Sequence, residues 1–353
     1  MDFQNVYISD DIVSDLRREC SGWSADSVFI LVDENTKSLC LPKIKSDDFF
    51  KDVRVVEIEA NDDHKSLEAL ASVWMFLCNN GASRKSLLIN VGGGMVTDLG
   101  GFAASTFKRG MKYVNVPTTL LGAVDAAVGG KTGINFNGLK NEIGVINPSK
   151  SVVIDVNFFK TLDRENFLSG YAEMIKHGLI SNDSVWENVL TFDLKDVDYQ
   201  KLPHLLKESI NVKEMIVEKD PYEMNVRKSL NLGHTVGHAF ESYAMQSKAV
   251  LHGYAVAWGL IAELYLSYKK CGFPTDKLQQ AVSLIKENYG VLNITCKQYE
   301  QLYELMTHDK KNEGDGRILF TLLKDVGVVE INVNVEKKDI FEALDFYRDS
   351  VGL

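Results

Sequence analysis

Cysteine is scarce in this sequence, and its spacing is not that of a metal site or a disulfide framework. The 353 residues include five cysteines, an odd number, and no two of them form a C-x-x-C pair. This scatter argues against a disulfide scaffold and against a thiolate zinc site. It favours a reducing, cytoplasmic setting.

Basic residues are also fewer than acidic ones. There are 49 acidic against 39 basic side chains, which gives a formal net charge of −10. Because a protein of this sign repels polyanions, we exclude nucleic acid and anionic membranes as partners. A small anionic substrate remains open, since a local cluster of lysine and arginine can oppose the overall field.

Long apolar runs are missing as well. No window reaches the roughly 18 uninterrupted apolar residues of a membrane-spanning helix. The longest run, residues 254–266, is broken by Glu263 and predicts a core helix. The first residues carry no basic stretch followed by an apolar one, so we expect no secretory signal. The chain length predicts two domains at about 150 residues each.

Strand and helix patterns alternate in the first part of the chain. Short apolar runs predict buried strands at 28–32, 53–58, 86–91, 111–116 and 151–155. Helical periodicity lies between them, as at 65–79 and 97–107. This alternation predicts a parallel sheet with helices on both faces.

From residue 156 onward strand patterns nearly vanish. Amphipathic helical patterns cover 164–179, 202–217, 252–270 and 275–287. We therefore predict a Rossmann-like α/β nucleotide-binding domain at 1–155 and a mainly α-helical, metal-binding domain at 156–353. A ligand site is expected in the cleft between them.

Two glycine-rich loops follow strands of the predicted sheet. Gly92-Gly93-Gly94 comes after an apolar strand and opens a helical pattern, and a second loop runs from Val116 to Gly133. Such a turn lets a pyrophosphate approach the backbone and meet the first amides of the helix. A tight turn without ligand explains one triplet equally well, and the G-x-G-x-x-G fingerprint is absent. The second loop favours a phosphate-binding rim.

Three histidines stand beside glycines on predicted helices. His234 and His238 are four residues apart and project from one helix face, and His252 opens the next helical segment. Glu173, on a third helix, could complete the set. Two histidines and a glutamate leave one position open, which is typical of a catalytic zinc. One such histidine alone is more often a core or surface residue, but three of the seven in this pattern favour a metal site.

The motifs together resemble those of the 3-dehydroquinate synthases, from Asp33 to Lys311. The most specific pieces are Gly92-Gly93-Gly94-x-x-x-Asp98-Leu99, Pro117-Thr118-Thr119, Asp125-x-x-x-Gly129-Gly130-Lys131-Thr132, Lys140-Asn141, Ala172-Glu173-x-Ile175-Lys176, Asn231-x-Gly233-His234-x-x-Gly237-His238 and Asp309-Lys310-Lys311.

The resemblance implies a set of ligand-binding residues. It implies a zinc ion, replaceable by cobalt, on Glu173, His234 and His252, and an NAD that is regenerated in every cycle. NAD contacts are implied for Asp33, Asn35, Asp62, Lys65, Gly92, Gly93, Gly94, Asp98, Thr118, Thr119, Lys140 and Thr161. Substrate and catalytic contacts are implied for Arg109, Asp125, Lys131, Asn141, Lys176, Lys213, Arg227, Asn231, His238 and Lys310. Asp62 stands where the family has Glu.

The implied reaction converts 3-deoxy-D-arabino-heptulosonate 7-phosphate to 3-dehydroquinate and phosphate in the shikimate pathway, which leads to chorismate and the aromatic amino acids. A ring hydroxyl must be oxidised transiently to a ketone, because only a neighbouring carbonyl acidifies the C–H bond whose proton is lost when phosphate is eliminated. NAD therefore works without net redox change. After elimination, re-reduction, ring opening and an intramolecular aldol reaction complete the carbocycle.

The substrate's charge explains the cations in the implied set. Lysine and arginine side chains are expected to hold its phosphate and carboxylate, and His238 to transfer a proton at a hydroxyl. We expect these cations to meet in the interdomain cleft. The resemblance also implies a homodimer.

Three other interpretations compete. The nearest is another sugar-phosphate cyclase, making an amino-dehydroquinate, a valiolone or an inosose. The presence of Lys213, Arg227 and Lys310 favours a substrate with a carboxylate. A metal-dependent polyol dehydrogenase would share the nucleotide loops and the metal helix but not the phosphate-binding cations. A non-catalytic dinucleotide sensor would have no use for a metal set with an open position.

Overall fold

The computed structural model describes residues 4–307 and 317–353, and the chain divides into two compact units. The first comprises Met1–Asp163 and Tyr199–Ile210, and the second comprises Arg164–Asp198 and Asn211–Leu353. Lys310, which was predicted to contact the substrate, lies outside the described residues, and so do Lys311 and the side chain of Asp62.

The first unit is an α/β fold. Its strands are β1 Asn5–Ile8, β2 Val28–Asp33, β3 Arg54–Ile58, β4 Leu87–Gly92, β5 Lys112–Pro117, β6 Lys131–Phe136, β7 Leu139–Ile146 and β8 Ser151–Ile154. Its helices are α1 Ile12–Gly22, α2 Glu34–Leu39, α3 Leu41–Lys45, α4 Asp48–Lys51, α5 Leu67–Asn79 and α6 Gly94–Thr106. Single turns of 3₁₀-helix lie at Asp62–His64 and Phe107–Arg109, a longer one at Val156–Thr161, and a π-helix at Gly122–Ala126.

Six strands form one sheet in the order β1-β8-β5-β4-β2-β3. Every pairing in it is parallel, which confirms the predicted parallel sheet. Alternate residues of β2 point to opposite faces: Phe29 and Leu31 pack in one core cluster with α5 and α6, and Ile30 and Val32 in the other with α1 and α3. A sheet buried on both faces explains why its strands read as continuous apolar runs.

Strands β6 and β7 form a separate antiparallel hairpin. The sequence analysis did not predict it, because glycine and polar residues interrupt its apolar pattern. Strand β6 packs against α6, whereas all eight residues of β7 are exposed.

The second unit is mainly helical, as predicted. Its helices are α7 Arg164–Ser181, α8 Asp183–Thr191, α9 Leu202–Lys219, α10 His234–Ala244, α11 His252–Cys271, α12 Thr275–Tyr289, α13 Tyr299–Thr307 and α14 Lys337–Val351, with α9 counted with the first unit up to Ile210. Single 3₁₀ segments lie at Val226–Asn231 and Cys296–Gln298. Within residues 4–307 and 317–353, no helix combines the length and the apolar character needed to cross a membrane.

A two-stranded antiparallel sheet, β9 Leu319–Asp325 and β10 Val328–Asn334, also belongs to this unit. This sheet is an exception to the predicted near-absence of strands after residue 156. The alternation of apolar and polar residues in β10 is a strand signal, and β9 is covered by α11.

Helix α11 lies at the centre of the second unit and packs against α7, α10, α12, α14 and β9. It approaches α7 so closely that a Cβ on Gly253 would lie 1.9 Å from the carbonyl oxygen of Ser169. Residues from Phe167 to Ile180 of α7 are all buried. Side chains of α7 and α11 therefore pack in the same buried core.

Replacing Gly100 by alanine tests the packing of α6 on the sheet. A Cβ at this position would lie 2.1 Å from Oδ1 of Asn90 and 2.7 Å from a methyl group of Leu31. We expect Gly100→Ala to lower the free energy of unfolding by about 1–3 kcal/mol, the usual cost of overpacking. Gly22→Ala is the matched control, because nothing lies within 4 Å of a Cβ there. Equal stability of the two variants in denaturant titrations would contradict this packing.

Candidate active site

Four predicted NAD residues lie at the carboxyl ends of neighbouring parallel strands. Asp33 ends β2, Gly92 ends β4, Thr118 follows β5, and Thr161 ends the 3₁₀-helix that follows β8. The amide of Thr118 donates to the carbonyl of Gly92 over 3.0 Å. In open parallel sheets this edge is where ligands bind.

The glycine loop after β4 contacts the loop after β5. A Cβ on Gly93 would lie 3.1 Å from the side chain of Thr119, and one on Gly94 would lie 3.0 Å from Cβ of Ala126. Gly93 precedes the 13-residue helix α6, and no side chain caps the start of that helix. The first backbone N–H groups of α6 therefore have no side-chain acceptor. Such N–H groups at a helix start suit the binding of a phosphate group.

Side chains at this edge are joined by hydrogen bonds. The carboxylate of Asp33 accepts from the amide of Thr36 over 2.7 Å and so caps α2. Burial raises the pKa of the Cys40 thiol to about 11, and hydrogen bonds with Thr161 and Thr118 offset only part of this shift. The Cys40 thiol is therefore neutral near pH 7.

Lys65 connects three parts of the first unit. Its Nζ lies 3.0 Å from Oδ2 of Asp98 on α6 and donates to Oδ1 of Asn141 on β7. Its carbonyl accepts from the amide of Asn135 on β6 over 2.7 Å. Although only 3 % of Lys65 is exposed, the charge is balanced by Asp98.

The other predicted residues of this unit lie on turns and strand ends. Arg109 is exposed and has a φ of 68°, and Asp125 lies in the π-helix. Lys131 begins β6, Lys140 is exposed on β7, and Asn35 is exposed in the first turn of α2. Their assignment to substrate or NAD stays a prediction.

In the second unit, three helices bring Glu173, His234 and His252 together. Glu173 lies in the middle of α7, and each histidine is the first residue of its helix. Oε1 of Glu173 lies 3.5 Å from Nε2 of His234 and 3.7 Å from Nε2 of His252. Glu173 is fully buried, and Oε1 accepts no hydrogen bond from any described residue.

This arrangement fits a metal ion. Ligand bonds of about 2.0–2.1 Å in a tetrahedron place neighbouring donor atoms roughly 3.3–3.4 Å apart, close to the separations seen here. His238 lies in the same cluster, because one ligand atom each from His234, His238 and His252 lies within 4.8 Å of the others. The donor set of two or three imidazoles and one carboxylate suits zinc or another first-row ion.

Lys176 lies one helical turn after Glu173 and forms an ion pair with its Oε2. Burial would raise the pKa of the Glu173 carboxyl, but Lys176, His234 and His252 hold it well below its usual range. Glu173 is therefore ionised, as a ligand must be. The buried lysine also lies beside the position predicted for the metal.

The second nitrogen of each imidazole has its own partner. Nδ1 of His234 donates to the carbonyl of Leu232 over 3.0 Å, and Nδ1 of His252 lies 3.1 Å from Oε2 of Glu241. These bonds leave both Nε2 atoms directed at Glu173. Glu241 was not predicted as a site residue. It lies seven residues after His234 on the same helix face, and this spacing is the sequence feature that places it near the histidines.

The predicted substrate residues Lys213, Arg227 and Asn231 are buried or half-buried in the second unit. Asp220 shapes the turn before Arg227: its carboxylate accepts from the amides of Asn225 over 2.6 Å and of Arg227 over 3.0 Å. Burial would raise the pKa of Asp220, but these amides lower it. The turn thus holds the Arg227 side chain, which donates to the carbonyl of Pro221.

Comparison with known proteins gives matches over most of the chain. A family model described as the 3-dehydroquinate synthase N-terminal domain matches residues 55–169, and one described as the C-terminal domain matches residues 170–312. The 3-dehydroquinate synthase of Parabacteroides distasonis is 54% identical over 354 residues and is covered completely, as is this chain.

Two solved structures share the fold. A 2-deoxy-scyllo-inosose synthase complexed with carbaglucose-6-phosphate, NAD⁺ and Co²⁺ has a TM-score of 0.83 at 22% identity, covering 97% of this chain and 96% of that one. A 2-epi-5-epi-valiolone synthase from Streptomyces hygroscopicus with NAD⁺ and Zn²⁺ bound has a TM-score of 0.83 at 23% identity, covering 98% and 97%. At these identities the likeness shows the fold alone.

Glu173→Gln tests the candidate metal centre. The amide keeps the volume but removes the anionic ligand, so we expect affinity for Zn²⁺ or Co²⁺ to fall by more than the roughly 10–100-fold lost with an outer partner. Competition with a chromophoric chelator measures it. Glu187→Gln, an exposed change on α8, is the control and should leave affinity unchanged. Tight binding by the Glu173 variant would contradict the assignment.

Proposed function

The chain belongs to the 3-dehydroquinate synthase family, and we propose that it converts 3-deoxy-D-arabino-heptulosonate 7-phosphate to 3-dehydroquinate and phosphate, a step of the shikimate pathway. It is accordingly a phosphorus–oxygen lyase. The observation that carries the proposal is the full-length match to a 3-dehydroquinate synthase. The buried Glu173 carboxylate that faces two imidazole nitrogens supports it.

Glu173, His234 and His252 are proposed to hold Zn²⁺, with Co²⁺ as a substitute. The buried Oε1 atom of Glu173, which accepts no hydrogen bond from the described residues, supports this proposal. Structures of the same fold contain Zn²⁺ and Co²⁺. A bound ion of this kind polarises a substrate hydroxyl and lowers its pKa. The protein's own part is to present three fixed donors and to leave a position open for the substrate.

The carboxyl edge of the first unit is proposed to bind NAD. The amides that begin α6 and the close glycine loop suit its pyrophosphate, and Asp33, at the end of β2, suits a ribose hydroxyl. Bound NAD supplies hydride transfer, which the reaction uses in both directions. Lys65, tied to Asp98 and Asn141, holds α6 and the hairpin in fixed positions beside this edge.

Cationic side chains are proposed to bind the substrate's phosphate and carboxylate. In the second unit Lys176, Lys213 and Arg227 carry positive charge into the interior, with exposures of 1 %, 6 % and 2 %. The phosphate and carboxylate of an anionic substrate would compensate such buried charges. Arg109 and Lys131 of the first unit are proposed for the same role, Arg109 through its planar guanidinium fork.

His238 is proposed to move a proton at a substrate hydroxyl. It lies one turn after His234, and their ring centroids are 5.3 Å apart. An imidazole within hydrogen-bond reach of a substrate hydroxyl can accept its proton and return it. Asn231, whose side-chain amide donates to Glu223 over 3.2 Å, is proposed to orient the substrate.

The reaction is tested by following phosphate and NADH together. With the heptulosonate phosphate, NAD and Zn²⁺, we expect phosphate release in proportion to substrate consumed and no accumulation of NADH. A chelator should stop turnover, and added Zn²⁺ or Co²⁺ should restore it. Stoichiometric NADH would instead indicate a polyol dehydrogenase. NAD binding without turnover would indicate a sensor.

We further propose that the enzyme works as a homodimer in the cytoplasm. Support for a second copy comes from β7, because Leu139, Ile143 and Val145 are exposed apolar residues of this strand, and the exposed Phe136 pairs with Leu139. An exposed apolar strand is a ready surface for pairing with another chain. The cytoplasmic setting is supported by Cys20, a free thiol packed in the core of the first unit.

Charging the β7 face tests the dimer. We expect light scattering to give a dimer mass for the wild type and a monomer mass for the double variant Ile143→Glu, Val145→Glu, because two carboxylates cannot be buried unpaired in an interface. Met75→Glu, at a position 60 % exposed on α5, is the control and should stay dimeric. A monomeric wild type or a dimeric double variant would contradict the proposal.

A further inference from the structure

Glu263 is a buried carboxylate in the otherwise apolar run of α11. None of its surface is exposed. Its Oε2 accepts from the amide of Gly233 over 2.6 Å, and its Oε1 accepts from the amide of Val236 over 2.9 Å. Burying a carboxylate is costly unless its oxygens are hydrogen-bonded, so these two amides account for its presence in the core. Both belong to the start of α10, the helix that begins with His234.

Helix α10 cannot be capped by its own preceding residue. That residue is Gly233, which has a φ of +79°, and a Cβ there would lie 2.7 Å from the side chain of Leu260. A Ser, Thr, Asp or Asn, the side chains that usually cap a helix, is therefore excluded from this position. Glu263 supplies the missing acceptors from the neighbouring helix. Its negative charge also lies at the positive end of the α10 dipole.

The two helices touch through their backbones. A Cβ on Gly259 would lie 2.2 Å from the carbonyl oxygen of Gly233, and one on Gly237 would lie 3.0 Å from that of Ala255. This contact fixes the distance between α10 and α11. A glycine contact does not prevent one helix from sliding along the other. The two hydrogen bonds from the start of α10 to Glu263 on α11 restrain that movement.

We propose that Glu263 is a positioning residue of the metal centre, which holds His234 at the start of α10 in register with His252 at the start of α11. Glu263 is on the helix of His252 and binds the backbone on both sides of His234. Loss of its charge would let the start of α10 shift and would move Nε2 of His234 relative to Oε1 of Glu173. The inference rests on the proposed metal site.

The test measures metal affinity and geometry in full-length protein. We expect Glu263→Gln to weaken Zn²⁺ binding roughly 10–100-fold, the range for outer partners of metal ligands, and to shift the visible absorption bands of the Co²⁺-substituted protein. Glu263→Asp keeps the charge but reaches only one amide, so its affinity should fall between those of the wild type and the Gln variant. The second variant keeps the test valid if Glu263→Gln folds poorly.

Asn182→Ala is the matched control, because Asn182 caps α8 in the same unit by accepting from the amide of Val185. It should lower the melting temperature yet leave Zn²⁺ affinity and the Co²⁺ spectrum unchanged. Wild-type affinity and spectrum in Glu263→Gln would overturn the inference and leave the metal site standing. Failure of the wild type to bind Zn²⁺ or Co²⁺ would instead overturn the proposed site itself.

Discussion

The candidate metal site of the second unit depends on the buried carboxylate of Glu173. Glu173 lies in the fully buried stretch of α7, where a carboxylate persists only if cations or donors compensate it. Lys176 does so from the next turn, and two imidazoles approach the other oxygen. Because His234 and His252 are the first residues of α10 and α11, both helices begin beside Glu173. The close helix crossings at Gly253 and Gly259 follow from it, since any side chain there would keep the imidazoles away.

The first unit is built by a different constraint. A sheet covered on both faces exposes only its edges, so the polar and glycine residues gather where the strands end. There the backbone itself forms the surface, because Gly92, Gly93 and Gly94 bring the start of α6 against the loop after β5. The ion pair between the buried Lys65 and the half-buried Asp98 joins α6 to the chain before α5. The proposed metal site and the proposed nucleotide site thus depend on different hydrophobic cores.

Sequence patterns predicted the elements with a strong period. The five buried strands β2, β3, β4, β5 and β8 were predicted close to their observed bounds, and so was α11. The hairpin β6–β7 was missed because glycine and polar residues interrupt its apolar pattern. Glu241 and Glu263 were missed as functional residues for a different reason. A helix period shows which face a carboxylate is on, but only tertiary structure shows that it accepts from His252 or from the start of α10.

Glu173, His234 and His252 are proposed to hold one catalytic metal ion. Anomalous diffraction at the zinc edge from crystals grown with Zn²⁺ tests it most directly. We expect a single strong peak in the second unit, about 2.0–2.2 Å from Oε1 of Glu173 and from Nε2 of both histidines. A peak bound by other residues, or none at this cluster in zinc-replete crystals, would contradict it.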